Sequence, residues 1–332
     1  MAGNESPILD QLRRDQIVSG RNVLVKPLGG GVSSDVFLID DEGKRFVVKR
    51  ALPQLKVRDH WQADTSRNRV EYEFLRYLSR VVPDAAPAVF AVGADYFTME
   101  YFGPEYRNWK ELLLSGDCQP QHAVRAARIL GTLHRVSFGN SELASQFDTT
   151  PNFHQLRTDP YLLTTGRRHS GLQERFEQEA VRLDKTRECL VHGDYSPKNI
   201  LIGSGRTVLL DCEVACYGDP AFDLAFLIKH LLLKSLYHAP LDRDLQKIIG
   251  TLVEAYYDER QMENNGDLDS RTARLLLMLL LARIDGKSPV EYLTEPKQDF
   301  VRNFVSARLS APTSTRAVVG DWFADLRMRI GE

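Results

Sequence analysis

His192-Gly193-Asp194-Tyr195-Ser196-Pro197-Lys198-Asn199-Ile200-Leu201-Ile202, then Gly203-Ser204-Gly205, then Val208-Leu209-Leu210-Asp211-Cys212-Glu213, is the stretch that decides how this chain reads. Asp194 and Asn199 share one short polar loop. An apolar strand leaves it, turns at the glycines, and returns to deliver a second acid at Asp211. Phosphoryl transfer from a nucleotide needs such a set: one carboxylate to orient and deprotonate a hydroxyl, and an amide oxygen with a carboxylate to hold metal on the phosphates. Mg²⁺ takes oxygen ligands and keeps several waters, so an Asn and an Asp suffice. A buried hairpin with incidental polar residues would not explain why His, Asp, Ser, Lys and Asn crowd one turn between Val191 and Ile200. The coupled spacing of the two loops favours chemistry.

His192-Gly193-Asp194 with Asn199, Asp211-Cys212-Glu213, and Gly218-Asp219-Pro220-Ala221-Phe222-Asp223-Leu224-Ala225 resemble the aminoglycoside phosphotransferase and choline kinase group, which has the protein-kinase-like fold. The resemblance runs from roughly residue 20 to at least residue 235. It implies that Asp194 is the catalytic base, that Asn199 and Asp211 hold Mg²⁺, that ATP is the phosphoryl donor, and that Asp223 accepts backbone hydrogen bonds from the catalytic loop. The chain departs from protein kinases at Ser196, where those place a lysine. Lys198 follows two residues later.

A nucleotide clamp should lie upstream. Leu28-Gly29-Gly30-Gly31-Val32-Ser33-Ser34 leads into the alternating run Asp35-Val36-Phe37-Leu38-Ile39. Glycines let a backbone approach phosphate oxygens closely, although such a run is also an ordinary hairpin turn. Arg45-Phe46-Val47-Val48-Lys49 ends in a lysine placed as a phosphate-pairing lysine would be. On the helix expected over Arg67–Arg80, Glu71, Leu75 and Leu78 share a face, which favours Glu71 over Glu73 as the partner of Lys49. Tyr96-Phe97-Thr98-Met99-Glu100-Tyr101-Phe102-Gly103 fits a link between lobes, with backbone groups of Glu100 and Phe102 offered to an adenine edge.

Composition points to a cytoplasmic enzyme. The 332 residues are 43% hydrophobic and 27% charged, enough for a large core. The apolar run Leu275–Ala282 is too short to span a bilayer, and the N-terminus lacks the character of a signal peptide. Cys118, Cys189, Cys212 and Cys216 suit reduced thiols, without zinc spacing. A net charge of −2 argues against a nucleic-acid partner or an anionic membrane. Nothing sets the oligomeric state.

Helices are expected over Pro120–Arg135, Leu172–Arg187 and about Phe222–Tyr237, then near 243–258, 268–285 and 296–309, with a turn at Asn264-Asn265-Gly266-Asp267. The resulting architecture is α+β: a two-lobed protein-kinase-like fold with a small antiparallel-sheet N-lobe (1–103) and a mainly helical C-lobe (104–332).

For the acceptor, Val48–Val57 with Trp61, Arg67 and the Glu71 helix resemble 5-methylthioribose kinases, as does Asp211–Ala215 with Tyr217-Gly218. Pro197-Lys198-Asn199 stands where those kinases usually read Thr-Gly-Ser, and Arg283 is the nearest candidate for their paired arginines. Trp61, Glu213 and Arg283 are the candidate substrate-side residues. Trp61 is a lid residue or a packing anchor. Asp258, Glu259 and Glu263 join Glu213 as an acidic set for a cationic aminoglycoside, or are surface charges. The chemistry expected is ATP-dependent transfer to a hydroxyl of a sugar, aminoglycoside or amino alcohol. A nucleotide-binding pseudokinase or regulatory module is the alternative, weakened because Lys49, Asp194, Asn199 and Asp211 are all kept. A protein kinase fits less well, since Cys212-Glu213 follows Asp211 and the segment to Asp219 is too short for an activation loop.

Overall fold

The computed structural model describes residues 7–29, 34–52, 66–238, 242–262, 265–311 and 314–330. Among them no helix is long and apolar enough to cross a membrane. The chain divides into two compact units, Met1–Tyr106 and Arg107–Glu332, just past Gly103-Pro104.

The first unit is built on an antiparallel sheet of β1 (Val23–Pro27), β2 (Ser34–Asp41), β3 (Lys44–Ala51), β4 (Val89–Val92) and β5 (Tyr96–Glu100), in the order β1-β2-β3-β5-β4. Side chains alternate across a strand, so the two faces of β3 do different things. Phe46 and Val48 join Ile39 and Tyr96 in an apolar cluster with Ile8, Leu9 and Leu12 of α1 (Pro7–Arg14). Lys49, between those positions in phase, meets α2 (Arg67–Val81). The strand ends at Glu100, short of the run to Gly103 read from the sequence.

The second unit is mainly helical. Its strand Cys189–Val191 pairs with Cys216–Gly218, and the expected hairpin forms between Ile200–Ile202 and Thr207–Leu209. The helix Pro220–Tyr237 starts cleanly because Asp219 accepts from the Ala221 N–H and proline occupies the first turn. Almost every residue of that helix is buried, and the leucine-rich helix Asn265–Asp285 packs against it. Pro120–Ser137 lies against Asp242–Arg260; a Cβ on Gly131 would sit 2.9 Å from the Tyr256 carbonyl oxygen, so glycine permits that approach. Cys189, Cys212 and Cys216 are buried and unbridged.

One local reading needs correction, and two further elements add to the sequence reading. The segment 265–267 is not a turn: a helix begins at Asn265, whose side chain accepts from Arg260, with Asp267 complementing its positive end. A helix at Thr315–Ile330 was not anticipated; Trp322, fully buried on it, hydrogen-bonds Ser235 and packs against Phe300 and Phe304. His154–Leu163 is a ten-residue π-helix containing Pro160, an uncommon element often found at functional sites. Its cap shows the wide spacing, Thr164 donating to the Asp159 carbonyl, while the Pro160 carbonyl accepts from Lys287.

Candidate active site

In the first unit, the Lys49 Nζ lies 2.8 Å from Glu71 Oε1 and 2.7 Å from Oε2, with both side chains buried. Buried ion pairs contribute little net stability, because desolvation offsets the attraction; they hold a charge in place. Ser34 is buried at the start of β2, its hydroxyl without a hydrogen-bond partner among the described residues, while Gly29 is exposed. Gly30, Gly31, Ser33 and Trp61 lie outside the described residues. At the end of β5 the Glu100 N–H already donates to the Ala88 carbonyl, so that amide is committed within the sheet. Phe102 sets its ring edge-on to Tyr106.

In the second unit the loop His192–Asn199 follows the strand Cys189–Val191. Gly193 takes φ 76°, and a Cβ there would fall 2.6 Å from the Val214 carbonyl oxygen, so the loop can fold against 211–215 only with glycine. Asp223, fully buried in the first turn of Pro220–Tyr237, accepts from the backbone N–H of His192 at 2.7 Å and of Gly193 at 2.9 Å. His192 accepts at Nδ1 from the Asp194 N–H, and its Nε2 lies 3.2 Å from the Leu210 carbonyl. Burial pushes its imidazole below the usual range, so it is the neutral ring, protonated at Nε2, that bridges the two loops.

The Asp194 carboxylate is buried, 3.0 Å from Lys198 Nζ and 3.1 Å from Arg157 Nη2. Burial alone would push its pKa up, but Lys198 and Arg157 outweigh that and hold it below 3.8. It is therefore ionised at neutral pH. Arg157 sits on the π-helix and also donates from Nε to the Gly193 carbonyl, fixing the loop from a second side. Asn199 donates its side-chain amide to the Asp194 backbone carbonyl at 3.0 Å, and its own backbone carbonyl accepts from the Leu210 N–H, one residue before Asp211. Asp211 adopts φ 63°, a left-handed conformation that Asp tolerates better than most residues. Carboxylate oxygens of Asp211 and Glu213 come within 4.8 Å of each other. This oxygen-rich donor set, with the Asn199 amide nitrogen tied back, fits a hard divalent cation.

Arg283 shares a cavity of about 160 Å³ with Asp194, Lys110, Lys198, Lys234 and Tyr292. The acidic set drawn from the sequence does not gather there: Glu259 binds Arg135 and Thr132, Asp258 is exposed, and Glu263 lies outside the described residues. Arg157 and Lys234 were not singled out from the sequence. Burial, with Lys110 and Arg283 nearby, lowers the Lys234 pKa from 10.5 to about 7. The folded state then resists the lysine's charge, a penalty fully present at and below pH 7 and lost as pH rises towards 10.5. Lys234→Met should accordingly raise stability by on the order of a few kcal/mol at pH 7, and by progressively less towards pH 10. Denaturant unfolding at both pH values checks this; equal gains would contradict it.

A family model described as "Phosphotransferase enzyme family" matches residues 24–261. The methylthioribose kinase of Pectobacterium atrosepticum is 29% identical over 250 residues, and the match spans 64% of this chain and only 60% of that protein's length. Among solved structures, APH(2″)-IIa in a ternary complex with streptomycin and ATP aligns with a TM-score of 0.54 at 17% identity, covering 95% of this chain and all of that one. The amicoumacin kinase hAmiN, bound to AMP-PNP, Ca²⁺ and Ami, also aligns with a TM-score of 0.54, at 14% identity, covering 93% of this chain and 96% of that one. These two likenesses establish the protein-kinase-like fold.

Proposed function

We propose that this chain, which belongs to the phosphotransferase enzyme family, moves the γ-phosphoryl group of ATP to a hydroxyl of a small molecule. The observation that carries this reading is the buried, ionised Asp194, in a loop bonded through Asn199 and His192 to the segment bearing Asp211. An acceptor hydroxyl donates to the Asp194 carboxylate and is aimed at the γ-phosphorus. As its oxygen bonds to phosphorus, the bond to the β,γ-bridging oxygen breaks, ADP leaves, and the proton passes to Asp194. With so low a pKa, Asp194 is a weak base whose main work is orientation, the proton moving late. Lys49, fixed by Glu71, serves the α- and β-phosphates, and the Gly29–Ser34 run offers them backbone N–H groups. Glu100 and Phe102 border the adenine. Asn199 and Asp211, with Glu213 beside them, would hold Mg²⁺, which when bound neutralises charge on the phosphate oxygens. We infer a sugar-like acceptor with Trp61 and Arg283 on its side, from the methylthioribose kinase relatives, and a cytoplasmic setting.

The test is ADP release by the full chain over sugars, aminoglycosides and amino alcohols, with the product identified by phosphorus NMR. Mg²⁺-dependent ADP release with no phosphorylated acceptor across all classes would overturn the proposal. Asp211→Ala should weaken Mg·ATP binding by about tenfold or more. Unchanged affinity in a calorimetric titration would place the metal elsewhere.

A further inference from the structure

The cavity beside Asp194 is walled by cations. Lys110, Lys198, Lys234 and Arg283 line it, and Asp194 is the one carboxylate among its described lining residues. That carboxylate is already engaged by Lys198 and Arg157. Lys234 is 2% exposed, and among the described residues its Nζ hydrogen-bonds only the His230 carbonyl, at 3.4 Å. Arg283 gives Nη1 to the carbonyl and hydroxyl of Ser288, while its buried Nε meets no partner. Lys229 is fully buried with no hydrogen-bond partner among the described residues, its Nζ 3.1 Å from the centroid of Phe226, a lining ring, and burial drives its pKa well below the usual lysine range. Lys110 and Lys198 are exposed, and Lys198 has Asp194 as counter-charge. The buried Lys234 and the Arg283 guanidinium, however, have no carboxylate partner among the described residues. Burying them so is expensive, and the arrangement suits a ligand that brings the missing charge.

Resting on the phosphotransferase reading, we propose that the acceptor is an anion: a small hydroxylated molecule whose hydroxyl meets Asp194 and whose carboxylate or phosphate oxygens meet Lys234 and Arg283. The transfer is unchanged in its balance: the acceptor O–P bond forms, the bond to ADP breaks, and the hydroxyl proton goes to Asp194. A polycationic aminoglycoside or a quaternary amino alcohol would instead place like charges together in a site of low dielectric.

Calorimetric titration of the full chain without nucleotide tests this. The probes are aldonic acids and sugar phosphates of three to six carbons, the neutral parent sugars, kanamycin and choline. An anionic probe should bind at least about tenfold more tightly than its neutral parent, with affinity falling as salt rises; the two anionic arms separate a carboxylate from a phosphate. R283Q and K234M should each weaken that binding about tenfold and leave Mg·ATP affinity in place, with melting curves confirming that both variants fold. Tighter binding of a neutral or cationic probe, or no binding of any anionic one, overturns the inference. So do variants that lower turnover without moving anion affinity, because the cations would then serve the transferring phosphoryl group. The two readings fail separately. Anion binding with no phosphoryl transfer removes the kinase and leaves the anion site, whereas phosphorylation of neutral or cationic acceptors alone does the reverse.

Discussion

Asp194→Asn is expected to lower kcat by roughly 10²–10⁴-fold, the range for removing a positioned general base, while leaving Mg·ATP affinity nearly unchanged. The substitution keeps an oxygen that accepts from Arg157 or Lys198 but removes the negative charge that both cations face. Folding should therefore suffer modestly, less than for Asp194→Ala, which leaves the part-buried Arg157 guanidinium without a partner at that position. The low pKa adds a pH test. The stabilisation that Asp194 contributes is present above its ordinary value of 3.8 and is lost only as pH falls below that. The acid limb of the wild-type rate should thus show no titration of Asp194 down to about pH 4. Single-turnover kinetics with the true acceptor decide the matter, and near wild-type transfer by the Asn variant would reject Asp194 as the base.

The second large effect belongs to a residue that need never touch substrate. Asp223→Ala should destabilise the fold by about 3–5 kcal/mol, because it strands two buried backbone donors, on His192 and Gly193, each costing about 1–3 kcal/mol. Asp223→Asn retains one carbonyl acceptor and should recover part of the loss. In the surviving folded fraction of either variant kcat should fall, since the loop that aims Asp194 loses its anchor. Equilibrium unfolding alongside active-site-normalised turnover separates the two effects; wild-type stability in the Ala variant would show that the loop holds itself.

Much of this was legible in the sequence because local signals and global fold agree. The hairpin after Ile200 is announced by apolar runs flanking Gly203-Ser204-Gly205, and the helix at Pro220 by its Asp-Pro start. The choice of Glu71 followed from helical phase, which is a local property, and the ion pair with Lys49 has that phase. What stayed hidden depends on tertiary contact. Arg157 stands in a polar run interrupted by Pro160, without the apolar period that marks a helix, and only the folded chain brings its guanidinium to Asp194. Lys234 reads as a charge near the end of an amphipathic helix, yet that helix is wrapped on nearly all sides. The helix Thr315–Ile330 has charges spread around it, and its burial rests on Trp322 finding Ser235 far back in the chain. Asp258 and Glu259 follow the surface-charge alternative, Asp258 exposed and Glu259 paired with Arg135, a partner that its sequence neighbours do not announce.

The π-helix His154–Leu163 makes the length of this segment, and not only its composition, a constrained quantity. Because Thr164 reaches back to Asp159, the carbonyl of Pro160 is left to take the amide of Lys287, stapling the wall that carries Tyr161 to the loop after Asp285. Excising one residue would let the segment relax into an ordinary α-helix, which would reclaim that carbonyl and turn Arg157 away from its present bearing. Insertions and deletions should therefore be scarce here even where individual side chains vary, and a homologue that lacks one residue in this span would need another source for the charge beside its catalytic carboxylate.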